Sequence, residues 1–270
     1  TYSWYYPVNI SATSGSSILA FPVTNSTYHV IGTDAFGCTD TAHIPLVVNP
    51  LPVMDIVAPI GICNGDTCQI SVNGVSNYNW SPTTGINPTI GNIINCFPTV
   101  TTNYTVLGTD SNGCMNTASK LMNVYSLPNF TISPTSDSIC KNDSTIISLI
   151  GPNGLNYTWD PCGSLSSPTG ENNYASPIVN TTYTITATDI HACSSTENVI
   201  IYVNDLPGIF ITPNNPDICL GDSISLQINS SQTITSYSWN TGQLTDVITV
   251  SPAIPTTYIG IGFDANGCSN

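Results

Sequence analysis

The chain has 270 residues, of which only 7% are charged, and a formal net charge of −14. Lys120 and Lys141 are the only lysine or arginine residues, which argues against binding to nucleic acid or to an anionic bilayer because neither phosphates nor lipid headgroups could be neutralised. Ten cysteines indicate an oxidising compartment. No apolar run is long enough for a membrane-spanning helix, and we expect any export signal to lie outside these residues.

One pattern of landmarks recurs four times along the chain. Each copy has a tryptophan strand, a tyrosine ten residues before a cysteine, and an Asp-turn-Cys motif such as TDSNGC, and most copies end in Leu-Pro. We call the cysteine of that motif the closing cysteine, and the cysteine of the ICNGD-like motif the opening cysteine. The closing cysteines are Cys38, Cys114, Cys193 and Cys268, and the opening cysteines are Cys63, Cys140 and Cys219.

Successive closing cysteines lie 76, 79 and 75 positions apart. This period defines two complete repeats, 53–128 (repeat 2) and 129–207 (repeat 3). They are flanked by partial repeats at 1–52 (repeat 1) and 208–270 (repeat 4), and we expect repeat 4 to lack its last strand. The Leu-Pro linkers are short and stiff, so we expect the stacked repeats to form an extended rod.

Short segments with alternating apolar and polar residues indicate β-strands separated by turns. In repeat 2 we predict strand A near 53–58, B near 67–73, C around Trp80, E near 92–97, F at 104–109 and G at 114–124. About seven strands in 75–80 residues predict an all-β fold of tandem immunoglobulin-like β-sandwich repeats. Tyr104, at the start of strand F, resembles a tyrosine corner.

The positions of the cysteines favour disulfides between repeats. The opening cysteine precedes strand B and the closing cysteine follows the F–G turn, so they lie at opposite ends of the sandwich, roughly 23 Å apart. A disulfide needs Cα atoms about 4.4–6.8 Å apart. Stacking of repeats would instead join Cys63 to Cys193 and Cys140 to Cys268. The alternative is pairing inside each repeat, as Cys63–Cys114, Cys140–Cys193 and Cys219–Cys268.

The other cysteines fall into three groups. Cys68 and Cys96 belong to neighbouring strands B and E of repeat 2, and we predict a bond between them. Under the stacking model, Cys38, Cys114 and Cys219 would bond to partners in repeats at or beyond the ends of the sequence. Cys162 has no evident partner, so it is either free or bonded to another chain.

Neither catalysis nor a firmly defined metal site emerges from the sequence. His29, His43 and His191 do not recur at equivalent positions, and we expect no enzymatic activity. If the disulfides join repeats, they would draw Asp66 toward Asp189, and Asp143 toward Asp264. Oxygen ligands at such joints suit Ca²⁺; the alternative is that these residues cap turns through their side chains.

The segments ICNGD, YNWSP, NYTVLGTDSNGC and VNPLP resemble the immunoglobulin/PKD-like repeats of giant surface proteins of Bacteroidota. The resemblance covers essentially the whole chain and is similar in style to the gliding adhesin SprB. It implies export by the type IX secretion system and a filament, stalk or adhesin at the bacterial cell surface. It also implies O-glycosylation at Thr41, Ser138 and Ser223. Repeat 3 departs from the pattern with KND and HAC, so we expect its turns to differ.

Two functions follow from these observations. The first is a structural region of a surface filament or adhesin stalk, whose partners are neighbouring repeats and other copies of the chain. The second is a set of repeats that bind polysaccharide or another surface ligand. The second function calls for an exposed aromatic patch in several repeats, and Tyr5 and Tyr6 occur in only one.

Overall fold

The computed structural model describes residues 1–5 and 9–270, so Tyr6 lies outside the described residues. All regular elements of the described residues are β-strands, and no helix among them could cross a membrane. The chain divides into two compact units, Thr1–Tyr125 and Ser126–Asn270. Repeat 1 and repeat 2 up to Tyr125 lie in the first unit, and residues 126–128, repeat 3 and repeat 4 lie in the second.

Repeat 2 is a sandwich of two four-stranded sheets, ordered β4-β6-β9-β8 and β5-β11-β10-β7. This is the strand arrangement of an immunoglobulin-like domain, and each predicted strand is present. Its strands are β4 (Asp55–Val57), β5 (Gly61–Cys63), β6 (Cys68–Asn73), β7 (Asn77–Ser81), β8 (Ile86–Asn87), β9 (Ile93–Cys96), β10 (Thr102–Thr109) and β11 (Met115–Tyr125).

Repeat 3 has the same architecture, with sheets ordered β12-β14-β16 and β13-β18-β17-β15. The tandem immunoglobulin-like fold expected from the sequence is therefore confirmed. Its strands are β12 (Thr131–Ser133), β13 (Ser136–Cys140), β14 (Thr145–Ile150), β15 (Asn156–Asp160), β16 (Asn172–Ala175), β17 (Thr181–Thr188) and β18 (Ser194–Asn204).

Repeats 1 and 4 contain parts of the same pattern. Repeat 1 forms one sheet, β1-β2-β3, and repeat 4 forms the sheets β19-β20-β22 and β21-β23. The strands are β1 (Tyr2–Tyr5), β2 (Ser26–Thr33), β3 (Thr39–Leu46), β19 (Ile209–Thr212), β20 (Ile224–Ser230), β21 (Ser236–Trp239), β22 (Val247–Val250) and β23 (Gly260–Phe263).

The tryptophans of repeats 2, 3 and 4 are buried in the cores. Trp80 and Trp159 are buried, and the strands around them alternate exposed and buried residues, as a half-buried strand requires. Each indole N–H also donates to a carbonyl, because a buried donor needs a partner. The acceptor is Gly91 for Trp80 and Gly170 for Trp159, both at 3.0 Å. The tryptophan landmark therefore marks both a core position and a tie between two segments.

A strand that the sequence analysis missed decides where the opening cysteines lie. β5 runs parallel to the end of β11, with Cys63 opposite Tyr125. In repeat 3, β13 pairs in the same way with β18, and Cys140 lies opposite Asn204. In repeats 2 and 3 the opening cysteine therefore ends a strand of its own beside the last residue of the repeat's last strand, rather than merely preceding strand B.

The tyrosine corner predicted at Tyr104 is confirmed. The fully buried Tyr104 lies in β10, and its hydroxyl donates to the carbonyl oxygens of Thr84 and Gly85 at 3.2 and 3.1 Å. Tyr183 is buried at the equivalent position of β17 and shares a 2.6 Å hydrogen bond with the hydroxyl of Ser164. Both hydroxyls tie the strand back to the preceding connection.

The expectation that the turns of repeat 3 differ is wrong. Ala192 and Asn142 adopt positive φ angles of 64° and 76° at positions where the other repeats have glycine with φ between 81° and 96°. The backbone therefore makes the same turns without glycine. This conformation is unfavourable for a residue with a Cβ, and more so for alanine than for asparagine.

Replacing the strained alanine by glycine is expected to stabilise the second unit. The left-handed conformation costs alanine about 1–2 kcal/mol, and the greater entropy of unfolded glycine offsets roughly 0.5–1 kcal/mol of the gain. Ala192→Gly should therefore raise the free energy of unfolding by roughly 0.5–1 kcal/mol in urea titrations. The reciprocal Gly113→Ala, where a Cβ meets no atom within 4 Å, should lower the free energy of unfolding of the first unit. Changes of the opposite sign in both variants would contradict the strain argument.

Stability is expected to fall at alkaline pH. Burial raises the pKa of the Tyr104 and Tyr183 phenols above the value of about 10 that they have in the unfolded chain. The folded state then holds more protons than the unfolded state above pH ~10, so the free energy of unfolding decreases as pH rises further. Urea titrations of thiol-blocked protein between pH 8 and 11 measure this slope. If the Tyr104→Phe/Tyr183→Phe variant loses stability as steeply as the parent, these phenols are not responsible.

Candidate functional site

The closing end of each repeat is built around the Asp-turn-Cys motif. In repeat 4 the Asp264 carboxylate accepts hydrogen bonds from the backbone N–H groups of Asn266 and Cys268, both at 2.8 Å. The same pair of bonds forms at Asp34, Asp110 and Asp189 in the other repeats. The aspartate therefore fixes the backbone of its closing cysteine.

The residue two positions after each closing cysteine contacts the preceding linker. Asn116, Ser195 and Asn270 donate from their side chains to the carbonyl oxygens of the linker prolines, at 2.9, 2.6 and 3.1 Å respectively. The prolines are Pro52, Pro128 and Pro207. The closing cysteine thus lies at the end where the chain enters the repeat, a contact that the sequence analysis did not find.

The opening cysteine lies at the other end, where the chain leaves the repeat. In repeat 3, Asn204 accepts from the backbone of Lys141 and donates from its side chain to Ser138, both at 2.8 Å. Lys141 also forms an exposed ion pair with Asp205 at 3.1 Å, which contributes little stability because solvent screens it. These contacts hold Cys140 beside the linker 205–208.

Pairing inside repeat 3 is therefore excluded by distance. Cys193 directly precedes β18, whereas Cys140 lies opposite the last residue of that strand, Asn204. The strand has 11 residues, so the two cysteines are separated by about 35 Å. This is larger than the estimate from sequence, because the last strand is longer than the strand used for that estimate.

The structure instead joins repeat 3 to repeat 4. Cys140 and Cys268 form a disulfide with Cα atoms 5.5 Å apart and a sequence separation of 128, within the ordinary range of disulfide geometry. Cys268 is fully buried. The joint between repeats 3 and 4 therefore has both this covalent bond and the hydrogen bond from Asn270 to Pro207.

The remaining cysteines occupy three kinds of position. Cys68 and Cys96 face each other across β6 and β9 and form a disulfide with a Cα separation of 5.0 Å. Cys63 and Cys193 are each disulfide-bonded; their bond with each other, as the equivalent of Cys140–Cys268, stays a prediction from the repeat pattern. Free thiols among the described residues are Cys38, Cys114, Cys162 and Cys219.

The aspartates proposed as calcium ligands have turn contacts. The carboxylates of Asp189 and Asp264 accept backbone N–H groups. The backbones of Asp66 and Asp143 donate to the carbonyls of Cys63 and Cys140. Within residues 1–5 and 9–270, no three His, Cys, Asp or Glu side chains form a group that could hold a metal ion. The side-chain contacts of Asp189 and Asp264 match the turn-capping alternative, whereas Asp66 and Asp143 make their turn contacts through the backbone. Calcium stays a prediction.

The other candidate residues lie at the surface. Thr41, Ser138 and Ser223 are exposed, and their glycosylation stays a prediction. His191 lies in the turn of the Asp189 motif. The structure brings His29 and His43 together across β2 and β3, which the sequence analysis did not anticipate.

Comparison with known proteins finds no matching family model and no matching curated protein. Among solved structures, the I-band fragment I67-I69 from titin aligns with 82% of this chain and 96% of its own, at 12% identity and a TM-score of 0.40. The eight N-terminal Ig domains of Down Syndrome Cell Adhesion Molecule align with 100% of this chain and 43% of their own, at 13% identity and a TM-score of 0.36. The insect immune protein hemolin aligns with 76% of this chain and 68% of its own, at 15% identity and a TM-score of 0.33. These scores are too low to support an argument about function.

Removing the joint disulfide is expected to destabilise the second unit. The bond closes a loop of 128 residues, and the loss of this constraint on the unfolded chain costs about 2–4 kcal/mol. The double variant Cys140→Ala/Cys268→Ala should therefore unfold at lower urea than the parent when free thiols are blocked. Cys162→Ala, which removes an exposed free thiol, is the control and should leave the midpoint unchanged. Equal midpoints for all three proteins would contradict this interpretation.

Proposed function

We propose that this chain is a load-bearing repeat region of a bacterial surface filament or adhesin stalk. A structural or adhesion-type extracellular region fits tandem immunoglobulin-like repeats that contain disulfides. The observation that carries the finer proposal is the Cys140–Cys268 bond, which joins the opening end of one repeat to the closing end of the next. A bond in this place transmits tension past the linker.

The repeat pattern extends this argument along the chain. Cys63 and Cys193 are equivalent to Cys140 and Cys268, and each is disulfide-bonded. A bond between Cys63 and Cys193 would place the same staple between repeats 2 and 3. Both joints would then be locked covalently, and a stiff stalk would result. Export by type IX secretion and a gliding-related role remain proposals that rest on the sequence resemblance.

The exposed aromatic residues support a structural role over ligand binding by every repeat. Tyr5, Tyr174 and Phe210 are each more than half exposed, yet they occupy different places in repeats 1, 3 and 4. Tyr174 lies in β16, and the corresponding strand β9 has Asn95 at that position. A polysaccharide site repeated along the array would need the same aromatic residue in several repeats.

Single-molecule stretching tests the load-bearing role. In a Cys63→Ala/Cys193→Ala background, the Cys140–Cys268 bond keeps 128 residues out of the extending chain. Further replacement of Cys140 and Cys268 by alanine should lengthen the fully extended chain by about 420–460 Å. Cys162→Ala in the same background should add nothing. Equal lengths with and without Cys140 and Cys268 would rule out a staple that shields the repeats from tension.

Non-reducing peptide mapping of protein taken from the cell surface identifies the bonds in the same material. We expect linked peptides that join Cys63 to Cys193 and Cys140 to Cys268. Peptides that join Cys63 to Cys114 would show closure within repeats, and the chain would then be a flexible string of domains.

A further inference from the structure

Repeat 1 contains a histidine pair that the structural role does not use. His29 in β2 lies directly opposite His43 in β3. Residues paired in this way project from the same face of the sheet. The neighbouring Tyr28 is buried on the opposite face, so the pair lies on the outer face, with His29 half-buried and His43 exposed.

The two imidazole rings bring their Nδ1 atoms close to each other. The Nδ1 atoms of His29 and His43 are 2.5 Å apart, and the rings meet edge to face with centroids 4.5 Å apart. Only one of the two Nδ1 atoms can carry a proton at this distance, so at least one lone pair points at the partner. A metal ion can replace the shared proton.

The geometry suits a transition-metal ion. Imidazole nitrogens bind Zn²⁺ at about 2.0–2.1 Å, and two such bonds at tetrahedral or square angles place the nitrogens about 2.9–3.4 Å apart. Small side-chain rotations of an exposed pair reach this separation. Imidazole ligands favour Zn²⁺, Cu²⁺ and Ni²⁺ over Ca²⁺. Tyr5 lies opposite His29 on the next strand.

Repeats 2 and 3 have a different pair at the same place. Thr105 lies opposite Ser119 in repeat 2, and Thr184 lies opposite Asn198 in repeat 3. Thr184 donates a 2.7 Å hydrogen bond to Asn198, so the position accommodates a polar cross-strand pair. Repeat 1 has histidine at both members of this pair, and the same backbone therefore offers two metal ligands in repeat 1 but not in repeats 2 and 3.

We propose that His29 and His43 form a surface site for a divalent transition-metal ion of the Zn²⁺, Cu²⁺ and Ni²⁺ class. The two ligands come from adjacent strands held in register by the Asp34 turn. This arrangement keeps the nitrogens together before the ion arrives. The site does not involve the disulfide joints, so the test of metal binding does not depend on the load-bearing role.

Calorimetric titration with nickel chloride tests the proposal on the whole chain, with free thiols blocked by N-ethylmaleimide. The parent should bind one equivalent in a saturable step, and His43→Asn should lose that step. His191→Asn should keep it, and thermal unfolding should be the same for all three proteins. Transfer of the pair to repeat 3, as Thr184→His/Asn198→His, should add a second equivalent.

Two results would overturn the proposal. One is the absence of a saturable step in the parent. The other is a step that persists unchanged in His43→Asn, which would assign the nickel to other groups. Broadening of repeat 1 amide signals by Ni²⁺ in nuclear magnetic resonance spectra gives a second readout, and we expect it to centre on His29 and His43.

Discussion

The parallel pairing of a short strand with the last strand of the repeat is the constraint on which the cysteine chemistry depends. In repeat 3 this pairing lays Cys140 beside Asn204, at the exit of the repeat, while the Asp189 turn holds Cys193 at the entrance. The two cysteines of one repeat cannot meet because the length of the last strand lies between them. Cys140 bonds instead to Cys268 of the next repeat, so this joint disulfide follows from the fold rather than from the linker.

Each end of the repeat is also set by hydrogen bonds that do not depend on the disulfide. The Asp264 carboxylate orients the backbone of Cys268, and Asn270 ties the same segment to Pro207. On the other side, Asn204 is bonded to both Ser138 and Lys141. These contacts place the two sulfurs before they bond, so the disulfide locks a geometry that the sandwich already favours.

Much of this fold could be predicted from the sequence because the landmarks have physical causes. The tryptophans are core positions, Tyr104 closes a tyrosine corner, and the Asp-turn-Cys motif is a side-chain-capped turn. What could not be predicted was a strand as short as β5, with three residues, which is too short to show an alternating pattern. The turns of repeat 3 were also misjudged, because Ala192 tolerates a conformation usually given to glycine.

The histidine pair could have been found from the same landmarks. In each repeat the residue before the turn aspartate pairs with the residue after the closing cysteine, as Thr33 does with Thr39. Counting outward from this pair places His29 opposite His43. The two histidines look unrelated in the sequence because they belong to different strands, and the register that unites them is a property of the hairpin.

The joint disulfide also changes what a protease can achieve. Lys120 and Lys141 are the only lysine or arginine residues, so an enzyme that cleaves after basic residues has only two positions to attack. The bond after Lys141 lies inside the segment closed by Cys140 and Cys268. After hydrolysis there, the Cys140–Cys268 disulfide still joins the two fragments covalently.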